Sequence, residues 1–538
     1  MSRLAWLADK LSRGRIERET ARHLAVLAQG PVRASRRTAH ALLRDMRGEA
    51  GPKVTLGVTE WDEPILVPLW EFVRSTGIVT GGMGSGKTMA ACLILEAIIS
   101  QLPQLRSISF GVLDAKGELF DRALYLLARR LAALDDEARE TLLRRIVVVD
   151  FSARNAISSY NILARWPGAE PDFFATSRLE TLRELLPSGD KLSLRGGVVL
   201  KNVIALLSEF GLPLTYLSRV LESEPFRTRL LNRSGNPEMK FYFDHHFPQE
   251  GKSTLVALRV RINSLFASES VRFALSGLTA PDFCRLQNEA KIVLINYSGS
   301  AITRGVRLLS LGWSLSDIRQ SIFARPNSPP VTYVWLADEA QNLLRTRQQQ
   351  EDVEEICTMG RSFGSFFCFL CQNFTTAVSD ARVLETLHTN VRWSLSLRGT
   401  PRDAQFLRGA LPVTGRRPRP DPHPFREPTF YSLEEERALL LNEVANLPDR
   451  TGYLWFKARS AEAIKIKTRR LSIPEGEAFR ETVAALREDP RLGGRLSRRE
   501  YQSLIEERDR EWQDHGEDSS LMERLEGQYQ EAQGTWQK

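Results

Sequence analysis

The chain has 538 residues, of which 42% are hydrophobic and 26% charged, and its formal net charge is +8. That composition excludes a disordered or collagenous polypeptide and supplies apolar mass for roughly two to four domains. No apolar run reaches the roughly eighteen residues that a membrane-spanning helix needs, and the five cysteines are too few and scattered for a disulfide scaffold, so a reducing, cytoplasmic setting is expected.

The charge is unevenly spread. Residues 1–53 carry 12 Lys/Arg against 5 Asp/Glu, whereas residues 475–538 carry 10 against 16. A basic head and an acidic tail therefore flank a mildly basic body. Residues 1–53 read as a basic helical segment with little core. Leu4, Leu7 and Leu11 form an apolar stripe with Trp6 beside it, flanked by arginines. Such a stripe suits packing on a partner subunit or lying on a membrane surface.

From Val54 the pattern changes to alternating strands and helices. Strand candidates are Val54–Val58, Gly77–Thr80, Ile108–Leu113, Ile146–Asp150, Lys291–Tyr297, Thr332–Ala337, Phe366–Leu370 and Val391–Leu397. Tyr453–Phe456 and Ile464–Ile466 suggest a late hairpin. Several of these are continuous apolar runs, as strands buried on both faces require. The pattern predicts an α/β fold: a doubly wound, mostly parallel sheet with ligand sites at the carboxyl ends of its strands. Residues 54–165 and 285–474 form its two parts. Residues 166–284 have almost no strand signal and are expected to be an all-helical insertion.

Within the first part, STGIVTGGMGSGKTMAACLILEAIIS (Ser75–Ser100) reads as strand, glycine-rich loop and helix. Gly81, Gly86, Lys87 and Thr88 fit G-x-x-x-x-G-K-[ST], with Gly82, Met83, Gly84 and Ser85 between them. Glycines let the loop turn tightly with its N–H groups around phosphates. Lys87 supplies charge for the β and γ phosphates, Thr88 a hydroxyl for Mg²⁺, and the following helix its N-terminal dipole. ATP and Mg²⁺ are the expected ligands.

The acidic partner of that loop lies in PPVTYVWLADEAQNLL. An apolar strand there ends in Asp338, suited to hold Mg²⁺ beside Thr88, and Glu339, suited to polarise the attacking water. A helix over Glu351–Gly360 and the strand Phe366–Leu370 follow. Gln372, just past that strand, is placed to sense the γ-phosphate or orient water, with Asn373 an alternative. Arg361 precedes the strand and is read as reaching a phosphate in a neighbouring subunit. Cys368 and Cys371 form a C-x-x-C inside the apolar strand, where residues three apart face opposite sides, so metal or redox use is not expected. His245–His246 lacks the partners of a metal site. The Pro-rich, basic stretch Thr414–Pro428 is an extended surface loop open to phosphate contact. The tail after Pro474 reads as exposed charged helix or partly disordered chain.

Together these segments resemble the HerA/FtsK superfamily of DNA-pumping ATPases. Within it they are most similar to the VirD4/TraG/TraD coupling proteins of conjugation and type IV secretion. The likeness is carried by GGMGSGKT, LDAKGELFDRA (Leu113–Ala123), VVVDFSARNAISSYNIL (Val147–Leu163), NEAKIVLINYS, VWLADEAQNLL, GRSFGSFFCFLCQ and VRWSLSLRGTPRDAQFL, in that order, over roughly residues 54–470. The resemblance implies a RecA-like motor in a homohexameric ring, with ATP between subunits and DNA through the pore. It assigns catalysis to Glu339, Gln372 and Arg361, nucleotide binding to Gly81–Thr88, and Mg²⁺ to Thr88 and Asp338. Asp114 and Lys116 would shape the sheet edge beside the site. Coupling proteins carry N-terminal transmembrane helices and this sequence shows none. A cytoplasmic motor, soluble or attached peripherally at the inner membrane, is therefore expected, recruited by its basic head or a separate membrane subunit, with relaxase or secretion-channel proteins as further partners. Two other readings stay open: a DNA motor in repair or phage defence with a separate nuclease, and an ATP-switched adaptor that recruits secretion substrates.

Overall fold

The computed structural model describes residue 18 and residues 36–513, apart from 154, 159, 166–168, 186–192, 267–268, 278, 300–301, 373–376, 420–428, 490 and 494. The Leu4–Leu11 stripe, Asn373 and most of the Pro-rich loop fall outside the described residues.

The strands, in chain order, are β1 (Lys53–Thr59), β2 (Pro64–Pro68), β3 (Gly77–Thr80), β4 (Ile108–Asp114), β5 (Ile146–Asp150), β6 (Ala156–Ile157), β7 (Ile292–Asn296), β8 (Thr332–Asp338), β9 (Ser365–Cys371), β10 (Trp393–Leu397), β11 (Thr451–Phe456), β12 (Ile464–Thr468) and β13 (Leu496–Ser497). Eleven of them form one sheet in the order β2-β1-β12-β11-β10-β3-β9-β8-β4-β7-β5. From β10 to β5 every pairing is parallel. From β10 to β2 every pairing is antiparallel. The fold is α/β with a mostly parallel sheet.

The two halves differ as their sequences require. Residues of β3, β4, β5, β7, β9 and β10 are buried throughout. These are the continuous apolar runs, and helices cover both of their faces. β12 instead alternates buried and less buried positions, as a strand with one solvated face does. β2 escapes the sequence reading because two prolines bound only three apolar residues. Its place at the sheet edge is where proline is tolerated.

Adjacent sheet residues feed two separate apolar layers. Val147, Val149, Val293 and Ile295 pack on one side with the helices between residues 171 and 288 and the helix Arg304–Phe323. Ile146, Val148, Ile292 and Leu294 pack on the other with the helices Lys87–Ile99 and Glu118–Ala132. Cys371 lies in the first layer and Cys368 in the second, so the C-x-x-C pair faces opposite sides of the sheet. The helices between 171 and 288 have no core of their own, because their apolar residues belong to the same cluster as one sheet face. A buried ion pair, Arg178–Asp317, ties the helix Pro171–Leu185 to Arg304–Phe323, with the Tyr160 hydroxyl donating to the same carboxylate.

The described part of the tail is helical, but the expectation that it is exposed needs correction. The helix Glu477–Arg487 packs on Glu118–Ala132, with Val483 and Leu486 buried and Phe479 against Tyr125 at 5.5 Å between centroids. β13 then pairs with β6. Tyr501 and Trp512 of the helix Arg498–Gln513 are buried against the helical layer. Few anchors suffice here because they are aromatic and each buries a large area.

Candidate functional site

The glycine-rich loop leaves β3 at the carboxyl edge of the sheet. Gly81, Gly84 and Gly86 have φ of 153°, 74° and 103°, values that a side chain disfavours. At Gly81 a Cβ would lie 2.6 Å from Ser85 Oγ, so the loop also needs the missing side chain for space. Lys87 opens the helix Lys87–Ile99, whose residues are buried almost all round. Its ammonium donates to the Gly81 and Gly82 carbonyls at 2.8 and 3.0 Å. Burial draws Lys87 below the usual ammonium range, and the carboxylates of Glu339 and Asp338 oppose that shift. Met83 and Gly84 are exposed at the loop's crest.

β9 lies between β3 and β8, so the three strands end side by side. Asp338 closes β8 and is aligned with Asp114 at the end of β4. Burial, and next the neighbouring Asp114 carboxyl, push Asp338 up to about 7. Asp114 itself is committed to structure. It accepts backbone N–H bonds from Lys116, Gly117 and Phe120, each at 2.8 Å, and so shapes the loop into the next helix. Its own carboxyl is raised by burial against those bonds. Lys116 pairs with Glu118 at 3.6 Å, on the surface.

Glu339 has a left-handed backbone, φ 52°, a strained setting for a residue with a side chain. Its N–H donates to Asp338 at 2.9 Å. Gln372, just past β9, donates its amide to both Glu339 oxygens at 2.9 and 3.2 Å. Gln341 also donates to Glu339 and accepts the Gln372 backbone N–H at 3.4 Å. Lys87, Thr88, Asp338, Glu339 and Gln372 thus stand at the ends of three adjacent strands, although they span nearly 300 residues of chain.

No protein-family model and no curated protein matches this chain. Among solved structures, it is similar to the bacterial conjugative coupling protein TrwBdeltaN70 at 14% identity, covering 81% of this chain and 92% of that one with a TM-score of 0.48. It is also similar to TrwB in complex with ADP and Mg²⁺, at 14% identity, 82% and 94% coverage and a TM-score of 0.48. A third is VirB4 of Thermoanaerobacter pseudethanolicus, at 15% identity, 79% and 98% coverage and a TM-score of 0.49.

Arg361 is not brought to this cluster. It sits in the turn Gly360–Phe363 before β9, exposed, at the strand end opposite Gln372. The seven residues of β9 separate the two by roughly 20 Å. Within its own chain Arg361 does not meet the glycine-rich loop.

Other residues support the loop without being legible in the sequence. The Arg398 carbonyl accepts the Gly82 N–H at 2.7 Å, and Arg398 pairs with Asp449 at 2.8 Å. The Arg450 N–H donates to the Ser85 carbonyl at 2.9 Å, and its side chain lies over Gly86, where a Cβ would come within 3.0 Å of Cγ. Arg450, like Glu339, has positive φ, 62°. Pro448 and Asp449 before it are residue types that favour a bend. Nothing in the sequence linked that bend to a loop more than 360 positions earlier. Among the described residues no group of His, Cys, Asp or Glu forms a further metal site, and no helix is long and apolar enough to cross a membrane.

Proposed function

We propose that this chain is an ATP-hydrolysing motor of the coupling-protein type, which moves DNA through a ring of its own copies. The observation that carries the reading is the meeting of Lys87, Thr88, Asp338, Glu339 and Gln372 at the carboxyl ends of β3, β8 and β9. In this reading Gly81–Thr88 wraps the triphosphate, and Lys87 exchanges its two backbone carbonyls for phosphate oxygens. Thr88 and Asp338 are hard oxygen donors that suit Mg²⁺, and the buried Asp338 beside Asp114 is an acid that a cation relieves. When bound, Mg²⁺ neutralises charge on the β and γ phosphates.

Glu339 accepts the proton of the attacking water. Gln372 and Gln341 fix its carboxylate from two sides and so hold it in one orientation. Arg361, exposed and remote from its own site, serves the phosphates of a neighbouring subunit in a homohexamer. DNA, a relaxase or secretion-channel protein, and a separate membrane subunit are the partners this reading requires. The motor works on the cytoplasmic side of the inner membrane.

The test is the ATP turnover of the purified chain with and without single- and double-stranded DNA, with Lys87→Ala as the blank. Stimulation by DNA that fades steeply with salt supports the motor. Turnover indifferent to both forms of DNA would sink the translocase reading and leave an ATP-switched adaptor.

A further inference from the structure

A cavity of about 470 Å³ opens between the helical layer and the helix Arg498–Gln513. No residue of the glycine-rich loop lines it. Three of its lining side chains are arginines, Arg219, Arg272 and Arg508, and one is acidic, Asp509. The single carboxylate is already shared. It accepts the Tyr216 hydroxyl, lies 3.3 Å from Arg508 and stands 3.9 Å from Arg219. Arg272 is exposed at the wall. Three guanidinium groups therefore face one cavity with one counter-charge among its walls, an arrangement that raises a local positive potential and attracts anions.

The arginines are also held in place. Arg219 and Arg508 lie over the Tyr216 ring at 4.7 and 5.0 Å. Arg508 is buried and donates to the Ser276 carbonyl at 2.7 Å. Stacking and burial remove side-chain freedom before a ligand arrives, so less entropy is lost on binding. The planar guanidinium groups of Arg219 and Arg272 carry paired N–H groups that match phosphate oxygens, and no lysine among the described residues lines the cavity.

We propose that this cavity is a phosphate-ester site, in which Arg219 and Arg272 take either a phosphodiester of nucleic acid or the phosphate of a free nucleotide, while the buried Arg508 behind them, bonded to Ser276 and Asp509, adds positive potential. It forms only where the C-terminal helix docks, since Arg508 and Asp509 come from that helix. The site is separate from the P-loop and does not rest on the motor reading.

The experiment uses the full chain carrying Lys87→Ala, which silences the first nucleotide site. Binding of a fluorescein-labelled oligothymidylate is followed by anisotropy across a salt series. Binding of thymidine monophosphate is followed by calorimetry. Each is repeated with Arg272→Glu, and with Arg219→Gln as the milder change, after melting temperatures confirm folding. If nucleic acid is the source, Arg272→Glu weakens the oligonucleotide about tenfold or more, and the log–log salt slope falls by about one. If a free nucleotide is the source, thymidine monophosphate binding is lost while oligonucleotide binding stays. Folded variants that alter neither ligand overturn the proposal.

Discussion

In the proposed motor, replacing Glu339 by glutamine should separate catalysis from binding. The carboxylate accepts the Gln372 amide at 2.9 and 3.2 Å and a second amide from Gln341. The amide isostere keeps the volume and one acceptor oxygen, but it has no basic site for a proton. Loss of a general base typically costs about 10²–10⁴ in rate. That corresponds to roughly 3–5 kcal/mol of barrier. The resting contacts change far less, since a charge-assisted hydrogen bond that becomes neutral forfeits about 1 kcal/mol. Lys87 and the loop carbonyls it holds are untouched, so nucleotide affinity should stay within about threefold, well under 1 kcal/mol. Phosphate release measures turnover, and a fluorescent ATP analogue measures affinity. Turnover equal to wild type would refute the assignment of Glu339. A fall in turnover matched by an equal fall in affinity would refute the separation of roles.

Asp338 supplies a pH signature. Its folded-state carboxyl sits at about 7, above the ordinary value near 4, so the ligand-free fold holds a proton that the unfolded chain releases. Its contribution to stability is therefore full below about pH 4 and lost as pH rises through about 7. Asp338→Asn should flatten that loss, and Mg²⁺ should raise the wild-type melting temperature more at about pH 8 than at about pH 6. A wild-type and Asp338→Asn pair with parallel stability–pH curves would contradict this. Gly77→Ala would place a Cβ 1.8 Å from the Trp393 ring, and chemical denaturation should show a loss of about 3 kcal/mol or more, unless the ring can shift. Arg487 donates to the fully buried Asp150, which also accepts from Asn296 at 3.0 Å. Arg487→Ala leaves that charge unpaired, so residues beyond 476 should become the first site of limited proteolysis; unchanged digestion would show that the apolar anchors hold the segment alone.

The glycine-rich loop was legible because its pattern is local. Tight turns, a lysine and a hydroxyl within eight residues leave a pattern that no distant contact is needed to explain. Asp338 and Glu339 were legible for a related reason: a continuous apolar run must be a doubly buried strand, and acids at its end stand at the sheet's carboxyl edge. Gln372 followed from the same rule applied to β9. The positioning residues did not. Gln341 looks like any helix-turn glutamine until the ends of β8 and β9 are side by side. Arg398 and Arg450 gain meaning only because β10 returns beside β3 and β11 beside β10.

Composition, periodicity and motif spacing by themselves determined the α/β class, the strands that make the parallel sheet, the glycine-rich loop and the acids at the end of β8. Each depends on residues near one another in the chain. Tertiary structure alone decided the strand order and the support behind the glycine-rich loop. It also decided the distance of Arg361 from its own site and the docking of the charged tail, with the arginine cavity that docking creates. Those features arise from contacts between residues hundreds of positions apart, and no local pattern encodes which surface a segment will meet.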